Sequence, residues 1–293
     1  MVKALILGGN GMLGHKLVQQ LAPVVDVYTT IRGDIHEYSR LGIVSPEKVF
    51  AGVDLKNADA LIEIIEKLSP DVVINAAGIV KQRKTENNNI EPLMINAVLP
   101  RRLGVLAERL RFRAILLSTD CVFDGKKGNY SESDPPSAPD MYGVSKYLAE
   151  VRSQNCLTIR TSMIGREIGT SQGLVEWFLG HDGREVAGFT NAIFSGFPTV
   201  VLADIIANLI LDHPNLNGLY HISSDPISKF NLLELISKAY DSKVIIEARD
   251  EPRIDRSLNS DKFRNETGFR PERWPEMIEQ MALDPTPYNE WRK

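Results

Sequence analysis

The stretch Val2-Lys3-Ala4-Leu5-Ile6-Leu7-Gly8-Gly9-Asn10-Gly11-Met12-Leu13-Gly14 decides the fold. Its first six residues are a short apolar run of the kind that fills a buried parallel strand. Residues 15–21 then read as a helix, with Leu13, Leu17, Val18 and Leu21 on one stripe. Strand, glycine turn and helix stand in the order that a dinucleotide site requires. Glycines permit the tight turn and let the backbone approach a pyrophosphate, and the helix start presents N–H groups and a positive dipole end to it. Gly9-x-Gly11-x-x-Gly14 matches that fingerprint, and Gly8-x-x-Gly11-x-x-Gly14 is present as well. Gly8, Asn10, Gly11, Met12, Leu13 and Gly14 are the candidate cofactor contacts.

Outward from this loop the chain alternates. Residues 24–30 read as a second strand. An NAD site usually carries an acid near the end of that strand for the ribose 2′-hydroxyl. Here the end is Tyr28-Thr29-Thr30-Ile31-Arg32. Arg32 and the two threonines suit a 2′-phosphate, so NADP(H) is expected in preference to NAD(H). Residues 48–53 form a third strand that runs into Asp54-Leu55, and Asn57 can cap the next helix. A fourth strand at 71–74 leads into Asn75-Ala76-Ala77-Gly78, small residues at a strand's carboxyl end, where ligands lie in open parallel sheets. Residues 81–89 are polar and basic, and Lys81, Arg83 or Lys84 could hold a substrate phosphate. A helix opens at Pro92. A fifth strand at 114–117 delivers Ser118-Thr119-Asp120 to its end. Residues 124–140 read as a loop, and residues 156–160 as a sixth strand.

This alternation predicts an α/β fold, a doubly wound parallel sheet. Past Thr161 the pattern loosens. It holds helices at 174–179, 201–211, 229–240 (capped by Ser228), 258–267 and 275–281, and strands at 219–222 and 244–248. A smaller C-terminal α/β lobe is expected. The expected division is residues 1–162 plus about 199–222 for the cofactor domain, with about 163–198 plus 223–293 for a substrate-binding lobe.

Tyr142-Gly143-Val144-Ser145-Lys146 carries the candidate chemistry. Positions i and i+4 share a helix face, so a phenol and an ammonium stand a turn apart. A cation favours the phenolate, which makes the pair a candidate proton donor or acceptor near neutral pH. Composition removes other classes. A net charge of −4 leaves no basic footprint for nucleic acid. Two cysteines, Cys121 and Cys156, build neither a disulfide framework nor a metal cluster. The five histidines lack metal-ligand spacing, so no metal is expected. No apolar run reaches the roughly 20 residues of a membrane helix. The chain opens on a strand and not on a charged, apolar and cleavable leader, so a cytoplasmic location is expected.

The glycine loop 8–14, Asp54-Leu55, Asn75-Ala76-Ala77-Gly78, Ser118-Thr119-Asp120 and Tyr142-x-x-x-Lys146 together resemble the extended short-chain dehydrogenases/reductases. Within them the chain is most similar to the dTDP-4-dehydrorhamnose reductase family. The stretch Leu117-Ser118-Thr119-Asp120-Cys121-Val122-Phe123-Asp124-Gly125 carries that likeness, with Arg160-Thr161-Ser162 and Leu258-Asn259-Ser260-Asp261-Lys262-Phe263. The resemblance implies a Rossmann domain and an NAD(P)-dependent oxidoreductase. Asp54 and Leu55 would flank the adenine. Ala76, Ala77 and Gly78 would pass the nicotinamide end. Thr119 would bond the reacting oxygen, Tyr142 would give the proton, and Lys146 would bind the nicotinamide ribose and tune Tyr142. Asp120 and Arg256 would reach the substrate, Arg256 at its diphosphate. Asn96 matches a helix asparagine of the superfamily, with a structural role as open as a functional one.

Two positions depart from the family. Cys121 and Met163 stand where aromatics are usual, and both would line the sugar pocket. The implied reaction is reduction of a nucleotide-linked 4-keto-6-deoxy sugar in deoxysugar or polysaccharide biosynthesis, carried on UDP or GDP rather than as the dTDP-rhamnose precursor. Rival readings are a nucleotide-sugar 4-epimerase, a 4,6-dehydratase, or a non-catalytic NADP-binding regulatory subunit. The dehydratase usually needs a glutamate after Asp120, where this chain has Cys121. Expected partners are the nucleotide sugar and a second copy of the chain, with neither nucleic acid nor membrane.

Overall fold

The computed structural model describes residues 1–79 and 90–291. Lys81, Arg83 and Lys84 lie outside the described residues. The apolar runs form strands β1 (Lys3–Leu7), β2 (Asp26–Thr30), β3 (Val49–Phe50), β4 (Val72–Asn75), β5 (Arg113–Thr119) and β6 (Cys156–Thr161). With the strand Gly218–His221 they make one seven-stranded sheet, ordered Gly218–His221, β6, β5, β4, β1, β2, β3. The pairings from β3 across to β5 are all parallel. Strand order reverses between β1 and β4, and the crevice at their carboxyl ends is where such sheets bind ligands.

The chain divides into two compact units. One gathers Met1–Ser118, Asp140–Ile159 and Ala203–Leu219, the other Thr119–Pro139, Arg160–Leu202 and Tyr220–Lys293. In the first, Leu5, Leu7, Val73, Ala114 and Leu116 point to one face of the sheet, because alternate strand residues share a face. The helix Ala58–Leu68 lays Leu61, Ile65 and Leu68 on it, and the helix Leu99–Leu110 lays Leu99, Leu103 and Leu106. Each such side chain contributes about 1.5–3 kcal/mol on burial. Asn57 caps the first of these helices by accepting N–H bonds from Asp59 and Ala60, as its side chain leads one to expect.

The helix opening near Pro92 is less regular than its sequence suggests. Ile90–Leu93 runs into a π turn, Met94–Val98, before Leu99–Leu110. Pro100 has no N–H to give the Asn96 carbonyl, so the ladder must slip there. The Leu99 N–H reaches back five residues to the Met94 carbonyl.

The second unit keeps residues 119–139 rather than leaving them with the sheet's unit. Tyr130 bridges to Leu258, its N–H donating to the Ser257 carbonyl at 2.9 Å while its carbonyl accepts from Asn259 at 2.7 Å. Phe123 stacks on Tyr130 with centroids 4.1 Å apart, and Val122 and Leu258 close the cluster. Arg160, buried completely, lays its guanidinium 5.1 Å from the Phe123 ring centroid. Its Nη1 lies 3.2 Å from His221 Nε2, and His221 Nδ1 lies 2.9 Å from the Tyr130 carbonyl. Burial and the nearby guanidinium push His221 down to about 3. The imidazole is therefore neutral, donates from Nδ1 and accepts from Arg160 at Nε2. His221 is structural glue for a buried cation.

Several elements go beyond the sequence reading. A one-turn helix, Ile35–Ser39, follows Arg32. The loosened region 162–198 holds strands Met163–Ile164, Glu185–Phe189, Ala192–Phe194 and Phe197–Pro198. Glu185–Phe189 pairs in parallel with Ile245–Arg249.

Candidate functional site

The glycine loop is braced from three sides. The Gly8 N–H donates to the Thr30 carbonyl and Oγ1, each at 3.2 Å, and the Gly9 N–H to the Thr30 carbonyl at 2.9 Å. The Tyr38 hydroxyl, buried, donates to the Gly9 carbonyl at 3.1 Å. Gly8 has φ +86°, a left-handed value that a side chain resists. A methyl placed on Gly14 would overlap the Gly8 carbonyl. The same loop meets the end of β4. The Ala76 N–H bonds the Leu7 carbonyl at 3.1 Å, and a methyl on Gly8 would stand 3.3 Å from the Ala77 Cα. The structure thus brings together the glycine loop, Ala76 and Ala77, while Gly78 lies beside Asn96. Helix α1 (Gly14–Leu21) starts there, with its first-turn N–H groups at the loop. This cradle, open only because glycines line it, fits a dinucleotide pyrophosphate.

The two threonines correct the sequence reading. Both are buried, and neither is available to a 2′-phosphate. Thr29 donates to the Ile6 carbonyl at 2.9 Å, and Thr30 receives the Gly8 N–H. They hold the loop. Arg32 remains exposed, its side chain 74% accessible, with Nη1 3.5 Å from Glu91 Oε1. Lys56 Nζ lies 3.5 Å from the same oxygen and 3.5 Å from Asp54. Arg32 and Lys56 therefore gather around Glu91, Asp54 pairs with Lys56, and Leu55 packs against the core. Sequence reasoning missed Lys56 and Tyr38. Lys56 directly follows Asp54-Leu55, but Tyr38 gave no signal, since its one-turn helix has too few residues to show a period.

The helix Met141–Leu148 carries Tyr142 and Lys146. Asp140 caps it by accepting the Gly143 N–H at 2.9 Å. Tyr142 is half-buried. Lys146 is buried, and its Nζ donates to the Leu117 carbonyl of β5 at 2.5 Å. Desolvation lowers its pKa to about 8, against the opposing charge of Glu150. Glu150, four residues after Lys146 in sequence and just past the helix end, accepts from Ser118 Oγ at 2.9 Å. That repeat of spacing was the available signal for Glu150. Asn96, also buried, accepts the Ile79 N–H at 2.8 Å and donates back to the Ile79 carbonyl at 2.9 Å. It lies 3.4 Å from Ser145 Oγ. Its observed bonds are structural: they tie the chain leaving β4 to the Tyr142 helix.

The lowered Lys146 pKa has a testable sign. Between about 8 and the free-lysine value of about 10.4, the unfolded chain holds a proton that the native chain has lost. Stability relative to a Lys146→Met variant is expected to rise with pH across that window and to be flat below it. Denaturant melts of the cofactor-free proteins read this directly, and a difference that falls with pH contradicts a desolvated ammonium.

In the second unit Thr119 ends β5 in extended conformation. Its Oγ1 accepts the Cys121 N–H at 3.1 Å and lies 3.0 Å from Asp120 Oδ1. Asp120 is only 7% exposed, and burial raises its pKa. Cys121 is half-buried, and desolvation with the Asp120 charge pushes its thiol up to about 12. Arg256 Nε donates to the Phe123 carbonyl at 2.9 Å, which places the arginine beside the Asp120–Val122 turn. Met163 pairs with Phe197 in a two-residue strand. Among the described residues no cluster of three or more metal-ligating side chains occurs, and no helix is long and apolar enough to cross a membrane.

The chain is 29% identical to a dTDP-4-dehydrorhamnose reductase of Burkholderia thailandensis over 168 residues, 56% of this chain and 50% of that one, so this match spans half of the relative's length. It is 30% identical to the Salmonella typhimurium protein of the same name over 228 residues, 74% of this chain and 71% of that one. Among solved structures, the dTDP-4-dehydrorhamnose reductase of Bacillus anthracis in complex with NADP superposes with a TM-score of 0.80, at 23% identity, over 97% of this chain and 100% of that one. The family model for the RmlD substrate binding domain matches residues 2–285. The chain therefore belongs to the RmlD substrate binding domain family.

Proposed function

We propose that the protein reduces the ketone of a nucleotide-linked 4-keto-6-deoxy sugar, using NADPH in preference to NADH. The observation that carries the reading is Lys146, buried on the Tyr142 helix and bonded to the carbonyl of Leu117, two residues before Thr119 on β5. An ammonium is costly to bury, and one helical turn from Tyr142 it would favour the tyrosinate. The bound nicotinamide would supply the hydride equivalent to the carbonyl carbon. The glycine cradle would bind the pyrophosphate, and Arg32 with Lys56 would receive the 2′-phosphate in place of Glu91. Thr119 and Tyr142 would hydrogen-bond the carbonyl oxygen as its charge grows. The Tyr142 hydroxyl would give its proton to the forming alkoxide. Cys121 and Met163, smaller than aromatic rings, would widen the sugar wall, which supports a substrate other than the dTDP-rhamnose precursor. The exposed Met141, Val144 and Leu148, at i, i+3 and i+7, support a second copy as partner.

The test is nicotinamide absorbance with UDP-, GDP- and dTDP-linked 4-keto-6-deoxy sugars. A reductase consumes cofactor one for one with ketone. An epimerase or dehydratase leaves net absorbance unchanged, and either result would remove the reading. In the same assay Arg32→Ala should lower the NADPH-over-NADH preference by about tenfold, the equivalent of ~1.4 kcal/mol. An unchanged preference removes Arg32 as the 2′-phosphate ligand.

A further inference from the structure

The acid that an NAD site places near the end of its second strand is missing from Tyr28-Thr29-Thr30-Ile31-Arg32. The acids on either side are engaged elsewhere. Asp26 bonds Lys48 at 2.8 Å, and Asp34 caps the one-turn helix that follows. The structure brings a different acid to the strand end. Glu91, on the short helix Ile90–Leu93, sets its Oε1 3.5 Å from Arg32 Nη1. The same oxygen lies 3.5 Å from Lys56 Nζ. One carboxylate oxygen thus stands between two cations, 59 and 35 residues away along the chain.

These contacts are long and partly wet. The side chains are 74% exposed for Arg32, 38% for Lys56 and 28% for Glu91. Ion pairs of that kind contribute little to stability. This one is strong enough to keep a negative oxygen between the cations and weak enough to release it. The flexible glutamate side chain can withdraw while its backbone stays in place.

The two nicotinamide dinucleotides put opposite demands on the spot. The adenosine 2′-hydroxyl of NADH has a hydrogen to give, and a carboxylate accepts it in a charge-assisted bond. The 2′-phosphate of NADPH offers acceptor oxygens and a charge of about −1.5 to −2. It attracts Arg32 and Lys56 and repels Glu91. We propose that Glu91 is a specificity-determining residue for the dinucleotide, accepting the 2′-hydroxyl of NADH and swinging away when the 2′-phosphate of NADPH takes its two cations. The inference rests on the reading of the glycine cradle as the pyrophosphate site and of Arg32 as a 2′-phosphate ligand.

Arg32 and Glu91, the two halves of one ion pair, then pull the choice of cofactor in opposite directions. The protein accepts both dinucleotides, and its preference is the difference between the two pulls. A Glu91 that served only the fold would behave otherwise. It is an acid in the first turn of its helix, a favourable place for negative charge, so its loss would loosen that turn and weaken both dinucleotides together.

The experiment is calorimetric binding of NADPH, NADH, adenosine 2′,5′-bisphosphate and 5′-AMP to wild type, Glu91→Gln and Arg32→Ala. The last two ligands differ only in the 2′-phosphate. Glu91→Gln keeps the side chain's size and removes its charge. It should tighten NADPH and the bisphosphate about threefold and weaken NADH about threefold, the scale of a half-exposed charge contact, so that the preference for NADPH rises about tenfold. The gain for the bisphosphate should fade as salt approaches about 1 M, where screening acts within about 3 Å. Arg32→Ala should move the preference the other way. Both dinucleotides weakening together in Glu91→Gln overturns the proposal, as do unchanged affinities or a loss of NADPH affinity alone. If Arg32→Ala acts as expected beside an inert Glu91→Gln, this inference falls and the 2′-phosphate reading stands. If Arg32→Ala keeps the wild-type preference, both fall. The measurements are of binding, so they decide the point whether or not a keto-sugar is reduced.

Discussion

Replacing Tyr142 by Phe is expected to cut ketone turnover about 10²–10⁴-fold while leaving cofactor affinity close to that of the wild type. The substitution removes one oxygen and keeps the half-buried ring. The helix beneath is held by other groups: the Asp140 cap, the Ser145 hydroxyl on the Tyr142 carbonyl at 2.7 Å, and Lys146 on the Leu117 carbonyl. None of these involves the phenol. The fold and the glycine cradle should survive, and the loss should fall on proton donation alone. Single-turnover absorbance separates the two quantities, with cofactor titration by fluorescence alongside. Undiminished turnover would take the proton away from Tyr142.

Gly14→Ala should weaken cofactor binding about 100-fold, equivalent to ~2.7 kcal/mol, and lower stability by about 1–3 kcal/mol. The added methyl meets the Gly8 carbonyl and comes within 3.1 Å of the Gly9 Cα. Backbone cannot rotate aside as a side chain can. Gly8 and Gly9 are tied to Thr30, and Gly9 also to Tyr38, so relief requires moving the loop itself. Gly33→Ala is the control, because nothing lies within 4 Å of its would-be methyl. Thermal melts with and without NADPH read both effects. Wild-type affinity in the Gly14 variant would mean that the pyrophosphate lies elsewhere.

What the sequence made legible was local. β1, its glycine turn and α1 follow one another without a gap, and each is decided by its own residues. The caps at Asn57 and Ser228 and the helix Leu174–Leu179 are visible for the same reason. The strands of residues 162–198 were not visible. They run two to five residues, too short to show a period, and Glu185–Phe189 finds its partner only at Ile245–Arg249. Thr29 and Thr30 illustrate a different blindness. A hydroxyl near a strand's end reads equally as ligand donor or as backbone brace, and only packing chooses. Thr119 and Asp120 were legible as types at a strand end, whereas the hydrogen bond between them follows from packing that no spacing encodes.

The bracing of the glycine loop by Thr30 and Tyr38 also bears on how fast a cofactor is taken up. The loop surrendered its conformational freedom when the chain folded, so no ordering is left to be done at the moment of capture. The dinucleotide meets a mould rather than a flap. Its arrival is rigid docking, governed by collision and orientation, and the residence time, not the on-rate, is where changes in this loop should register.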